Sequence, residues 1–87
     1  REFSLNIYPN PTDDQLYIDL GMSDDSELEV RVFDESGKNV WTNPFGGFRK
    51  AGHYHETLNT KLLAAGQYNL QIKTASGLIN KKFTVAR

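Results

Sequence analysis

The chain has no cysteine among its 87 residues. That excludes disulfide staples and thiol chemistry, and it leaves the redox compartment open. No apolar run approaches the ~20 residues that a membrane-spanning helix needs. No segment of about ten residues carries helical periodicity. The opening Arg1-Glu2-Phe3-Ser4-Leu5 lacks the charged-then-apolar pattern of a signal peptide. An export signal is therefore expected upstream in a longer parent, or in a form other than a leader, and an initial arginine points to a fragment. A basic excess is also missing, since the formal net charge is −1 and the pI about 6.1. The bases are not interleaved with aromatics as a stacking platform requires, so nucleic acid is not an expected partner.

What the chain does have is alternation. Phe3, Leu5 and Ile7 alternate with Ser4, Asn6 and Tyr8, the period-2 pattern of a half-buried strand. Pro9-Asn10-Pro11-Thr12 ends it, because two prolines remove two backbone donors. Leu16, Ile18 and Leu20 mark a second strand, Leu28, Val30 and Val32 a third. Asp34-Glu35-Ser36-Gly37 is a turn into a fourth strand, Lys38 to Thr42. Asn43 to Gly52, with three glycines and a proline, reads as a long irregular loop. His53 to Leu58 is a fifth strand, and one helical turn is expected at Lys61–Ala64.

The closing segment is the clearest. Tyr68, Leu70 and Ile72 alternate with polar residues, Ala75-Ser76-Gly77 turns, and Ile79, Lys81, Phe83 and Val85 share one face of a last strand. Seven short antiparallel strands in so short a chain predict an all-β, immunoglobulin-like β-sandwich. Residues 1–87 read as one domain. Its stability is expected to be only a few kcal/mol, since at this size burial and chain entropy nearly cancel at ~1.5 kcal/mol per ordered residue.

Charge is unevenly distributed. Residues 1–35 carry ten acids and two bases, and residues 36–87 carry eight bases and one acid. Interleaving of strands from the two halves would mix these charges; separate packing would leave a bipolar surface.

Candidates for chemistry are few. His53 and His55, two apart on a strand, share a face, but a zinc site needs a third ligand, and Glu56 points the other way. Asp13-Asp14 and Asp24-Asp25 with Glu27 lie in loops that could meet at one end of a sandwich and offer oxygens to calcium. Neither is the favoured reading, so no metal, cofactor or catalytic residue is assigned and the chain is not read as an enzyme. Trp41, Phe45, Phe48 and Tyr54 cluster around the irregular segment. As an exposed flat patch they would suit a carbohydrate- or protein-binding β-sandwich module of an extracellular enzyme. Folded under, they are core.

Four blocks together resemble a known family. Ile7-Tyr8-Pro9-Asn10-Pro11, followed by Leu16-Tyr17-Ile18, is similar to its opening YPNP signature and second strand. Val30-Arg31-Val32-Phe33-Asp34, with Gly37-Lys38 and Val40, resembles its strand–turn–strand. Leu63-Ala64-Ala65-Gly66-Gln67-Tyr68 resembles its Leu-Pro-Ala-Gly-any-Tyr block, with Ala64 where proline is common. Gly77 and Lys81-Lys82-Phe83-Thr84-Val85 resemble its glycine turn and basic-then-β-branched ending, here closed by Ala86-Arg87. The family is the C-terminal sorting domain of type IX secretion substrates, found in Bacteroidetes, and the resemblance runs from about Leu5 to Arg87.

The resemblance implies a secretion signal at the end of a longer secreted protein. Its implied partners are the type IX translocon and outer-membrane shuttle protein, a sortase-like cysteine peptidase that removes the domain, and a cargo upstream in the same chain. The implied route is through the periplasm to the outer membrane, cell surface or medium. Recognition is expected on the closing hairpin (Gly66, Tyr68, Gly77, Lys81, Lys82, Phe83 and Val85) or at the Pro9, Asn10, Pro11 corner. Tyr68, Phe83 and Val85 read as core at the same time.

Overall fold

A computed structural model describes residues 3–87. The described strands are β1 (Phe3–Tyr8), β2 (Gln15–Met22), β3 (Ser26–Asp34), β4 (Asn39–Thr42), β5 (Gly47–Arg49), β6 (Gly52–Asn59), β7 (Gly66–Thr74) and β8 (Gly77–Val85). A 3-10 turn, Thr60–Leu62, joins β6 towards β7. The described strands pair antiparallel with one another and make two sheets. One is β1-β2-β6; the other is β4-β3-β7-β8, with β5 also beside β3.

The alternation decides which face goes inside. Leu16, Ile18, Leu20 and Met22 of β2 are buried, as are Leu28, Val30 and Val32 of β3, Tyr68, Leu70 and Ile72 of β7, and Phe83 and Val85 of β8. Each fully buried aliphatic side chain contributes about 1.5–3 kcal/mol relative to exposure. The fold is the expected all-β sandwich, consistent with an immunoglobulin-like domain.

The strand count differs from seven because the stretch read as an irregular loop contains β5. Asn43 explains this. At φ 52° it steps out of the strand conformation, yet its N–H donates to the Val30 carbonyl (2.6 Å) and its Oδ1 accepts from the Val30 N–H (2.8 Å). Asparagine tolerates this backbone region better than other non-glycine residues. The side chain thus substitutes for a missing ladder partner, and β4 and β5 run in line along one edge of β3. The bulge between them turns Phe45 into the core.

The 3-10 turn falls at Thr60–Leu62 rather than Lys61–Ala64. Asn59 Oδ1 caps it by accepting from the Lys61 N–H (3.1 Å), and Leu63 is already extended (φ −105°, ψ 141°). β4 begins at Asn39, one residue later than expected.

Charges from the two halves mix, because β2 pairs with β6 and β3 with β7. Lys61 approaches Asp14 (3.5 Å) and Glu29 lies in register with Lys73, while Arg49 reaches Glu56 (2.8 Å) within the second half. The acidic loops do not meet. Asp13-Asp14 precede β2 and Asp24-Asp25 follow it, so an eight-residue strand separates them. At ~3.4 Å per residue, that span is far beyond the reach of one calcium ion.

Candidate functional site at the closing hairpin

β7 and β8 pair over their full length, from Gly66↔Val85 to Thr74↔Gly77. Ala75-Ser76 turn the chain and Gly77 takes the positive φ (142°) that a side chain would resist. The turn is held by the Ser26 hydroxyl, which accepts from the Ala75 N–H (2.8 Å).

Phe83 and Val85, each 1% exposed, are core. Phe83 stacks on Tyr68 with ring centroids 5.6 Å apart. Tyr68 is buried and its hydroxyl donates to the Ala64 carbonyl (2.6 Å). A tyrosine at a strand start bonding back to backbone just upstream is the corner device of sandwich domains. It accounts for the Leu63–Tyr68 block: Leu63 is buried, Gly66 opens the strand, and Tyr68 locks the approach. Lys81 and Lys82 are both exposed on opposite faces of β8.

The Pro9–Pro11 corner and the hairpin are one site. β8 is the edge of its sheet, and the corner lies along it. The Thr12 N–H donates to the Thr84 carbonyl and the Ala86 N–H donates to the Thr12 carbonyl, both at 2.9 Å, a parallel bridge. Asn10 Nδ2 donates to the Lys82 carbonyl (3.1 Å) and Asn10 Oδ1 accepts from the Thr84 N–H (3.0 Å). Pro9 and Pro11 shape the corner, each following a cis peptide bond. Pro9, Asn10, Pro11, Gly66, Tyr68, Lys82, Phe83 and Val85 therefore gather at one end. Gly77 stands apart: it is at the opposite end of the nine-residue β8 from Val85, on the order of 26 Å away.

Two participants carried no clear sequence signal. Thr12 is 1% exposed and its hydroxyl donates to the Gln15 carbonyl (2.6 Å), a local turn bond that a threonine after proline permits. Arg87 folds back, its guanidinium donating to the Leu63 (2.7 Å) and Thr60 carbonyls. It gives the Thr60 carbonyl, which already accepts from the Leu63 N–H, a second donor, and it pairs the Leu63 carbonyl just past the 3-10 turn.

The other candidates lie elsewhere. His53 and His55 are exposed on the outer face of the three-stranded sheet. His55 Nδ1 lies 2.6 Å from Asp19 Oδ1, and Glu56 faces Arg49 instead. The hydrogen bond to His55, helped by one from the Tyr8 hydroxyl, holds the Asp19 carboxyl below the usual range, and the same bond to Asp19 pushes the Tyr8 phenol up. Among the described residues, no group of three or more metal-ligating side chains converges. The aromatic patch that would favour a binding module is not formed. Phe45 is buried, Trp41 packs partly against the core, Tyr54 carries Arg49 over its ring (5.0 Å), and only Phe48 stands out at 58% exposure.

No curated protein matches the chain. The sequence profile of the secretion system C-terminal sorting domain matches residues 6–86, a span running from the first strand through the Pro9–Thr12 corner to the last residue but one. With the corner, the tyrosine lock and the closing hairpin all inside that span, the chain belongs to the secretion system C-terminal sorting domain family, the sorting signals of type IX secretion.

Proposed function

We propose that this chain is the terminal export module of a longer secreted protein, one domain over residues 1–87. Its cargo lies upstream in the same chain, crosses the periplasm, and is handed to the type IX translocon and its outer-membrane shuttle protein. A sortase-like cysteine peptidase removes the module on export. The family match over residues 6–86 carries the reading. Membership by itself implies engagement with type IX secretion and export across the outer membrane to the cell surface or medium.

The geometry supports a terminal handle. Phe3 pairs with Met22 at the end of the sandwich that also holds Ser26 and the Ala75–Gly77 turn. Arg87, the Pro9–Thr12 corner and Lys82–Val85 occupy the opposite end of a molecule 37 Å long. A cargo joined before Phe3 leaves from one end, and the corner–hairpin site faces away from it. Recognition is assigned to that site, with Pro9, Asn10, Pro11 and Lys82 as its surface and Gly66, Tyr68, Phe83 and Val85 as its scaffold. Lys81 and Gly77 lie further along β8.

The test fuses the chain to a periplasm-targeted fluorescent protein in a type IX-competent host. Fluorescence at the cell surface or in the medium, with the module cleaved, is expected. A folded fusion retained in the periplasm overturns the sorting reading, and export of an uncleaved fusion overturns peptidase removal.

A further inference from the structure

The edge of β8 is only half covered. The backbone groups of Lys82, Thr84 and Ala86 that bond to Asn10 and Thr12 all point away from β7. Strand geometry alternates with period 2, so Leu78 and Asn80 present their N–H and C=O on that same outer edge. There β8 pairs with β7 alone, and among the described residues no strand is paired to its outer edge. The corner ends at Asn10, opposite Lys82 and Thr84. Below it the edge is open from Leu78 to the Lys82 N–H, and Leu78 is 51% exposed.

An open edge accepts any extended backbone, so charge decides the occupant. The hairpin 66–85 holds Lys73, Lys81 and Lys82 and no acidic residue. Lys81 and Lys82 project from opposite faces of β8, so they flank an added strand on both sides. A second copy offering its own β8 would set lysines against lysines, which is unfavourable. A strand bearing acids meets complementary charge on both faces.

We propose that the Leu78–Lys82 edge of β8 takes an acid-bearing extended segment of a partner protein as an added strand, in line with the Asn10–Thr12 corner. This deepens the sorting reading by naming the part of the hairpin that a partner pairs with. It rests on that reading for the partner's role in export. The binding test is made in solution on the 87-residue chain, so its failure is separable from a failure of export.

The probes are two blocked heptapeptides of alternating valine and charged residues, one with glutamate and one with lysine, titrated into the ¹⁵N-labelled chain. The glutamate peptide is expected to shift the Leu78, Asn80 and Lys82 amides and to bind at least roughly tenfold tighter than the lysine peptide. Asn80→Pro removes the outward N–H and no bond to β7, a position where an edge strand tolerates proline. It should weaken the glutamate peptide by roughly tenfold or more, whereas Asn80→Ala, which loses only the side-chain bond to Gln71, should not. Should Asn80→Pro fail to fold, the Lys81→Glu, Lys82→Glu double variant carries the test by reversing the peptide preference. Absence of shifts at millimolar peptide, shifts centred elsewhere, equal binding of both peptides, or self-association through β8 in sedimentation would each overturn the proposal.

Discussion

Asn10 does at one residue what a whole strand does elsewhere. Its amide reads one carbonyl and one N–H of β8, at 3.1 and 3.0 Å, as a paired backbone would. Both bonds are solvent-exposed, so each contributes a net amount near the low end of ~0.5–1.5 kcal/mol. Asn10→Ala should cost about 1 kcal/mol in urea unfolding and increase exchange of the Thr84 amide well beyond the global change. Asp19 illustrates a second residue-scale effect. Its folded pKa is depressed by the bonds from His55 and Tyr8. Its contribution to stability is therefore fully present above the ordinary carboxylate pKa and is lost as pH falls through the depressed folded value. Thermal melts across roughly pH 2 to 5 should show the wild-type chain losing stability more steeply than Asp19→Asn. Parallel curves would mean that the His55 contact is not formed in solution.

At the scale of elements, the closing hairpin is both core and edge. Its inner face carries the Tyr68–Phe83 stack, and its outer edge carries the corner. Phe83→Ala removes a fully buried ring and should cost about 3–5 kcal/mol. That is comparable to the whole stability of only a few kcal/mol expected for a domain of this size. The variant should melt at a far lower temperature and lose export through unfolding. Phe83→Leu, which keeps much of the volume, should retain a cooperative transition. β4 and β5 show a different lesson. They are one interrupted edge, and the interruption exists because Asn43 can stand in for backbone while Phe45 turns inward.

For the whole molecule, the terminus is inseparable from the fold. Deleting Lys82–Arg87 takes away Phe83, Val85, the partners of Asn10 and Thr12, and the guanidinium that closes the Thr60–Leu62 turn. The truncated chain should lose its dispersed amide spectrum and its export together. Substitutions confined to Lys81 and Lys82 should leave the spectrum dispersed. If the deletion stayed folded, the corner and the final strand would not be the single unit that the hydrogen bonds describe.

Much of this was legible without a structure. Alternation and turn signals marked seven of the eight described strands: alternation is what one-sided burial requires, and β4, with no buried residue, was marked by the turn before it. The four blocks named the family, and Tyr68, Phe83 and Val85 could be read as core because each sits among apolar neighbours at the right spacing. β5 was hidden, since its three residues are too few to show a period and its placement depends on the Asn43 side chain bonding to Val30, thirteen positions earlier in the chain. The acidic loops looked adjacent only because sequence carries no record of which end of a strand each one occupies. The same blindness kept the Pro9–Thr12 corner and Lys82–Ala86 apart, although Asn10 and Thr84 touch across 74 positions. Local alternation and turn chemistry act between near neighbours, so the sequence alone determined the strands, the class and the family. Which edges are covered, and what is left open to a partner, follows from contacts between distant residues, and only the tertiary structure decided it.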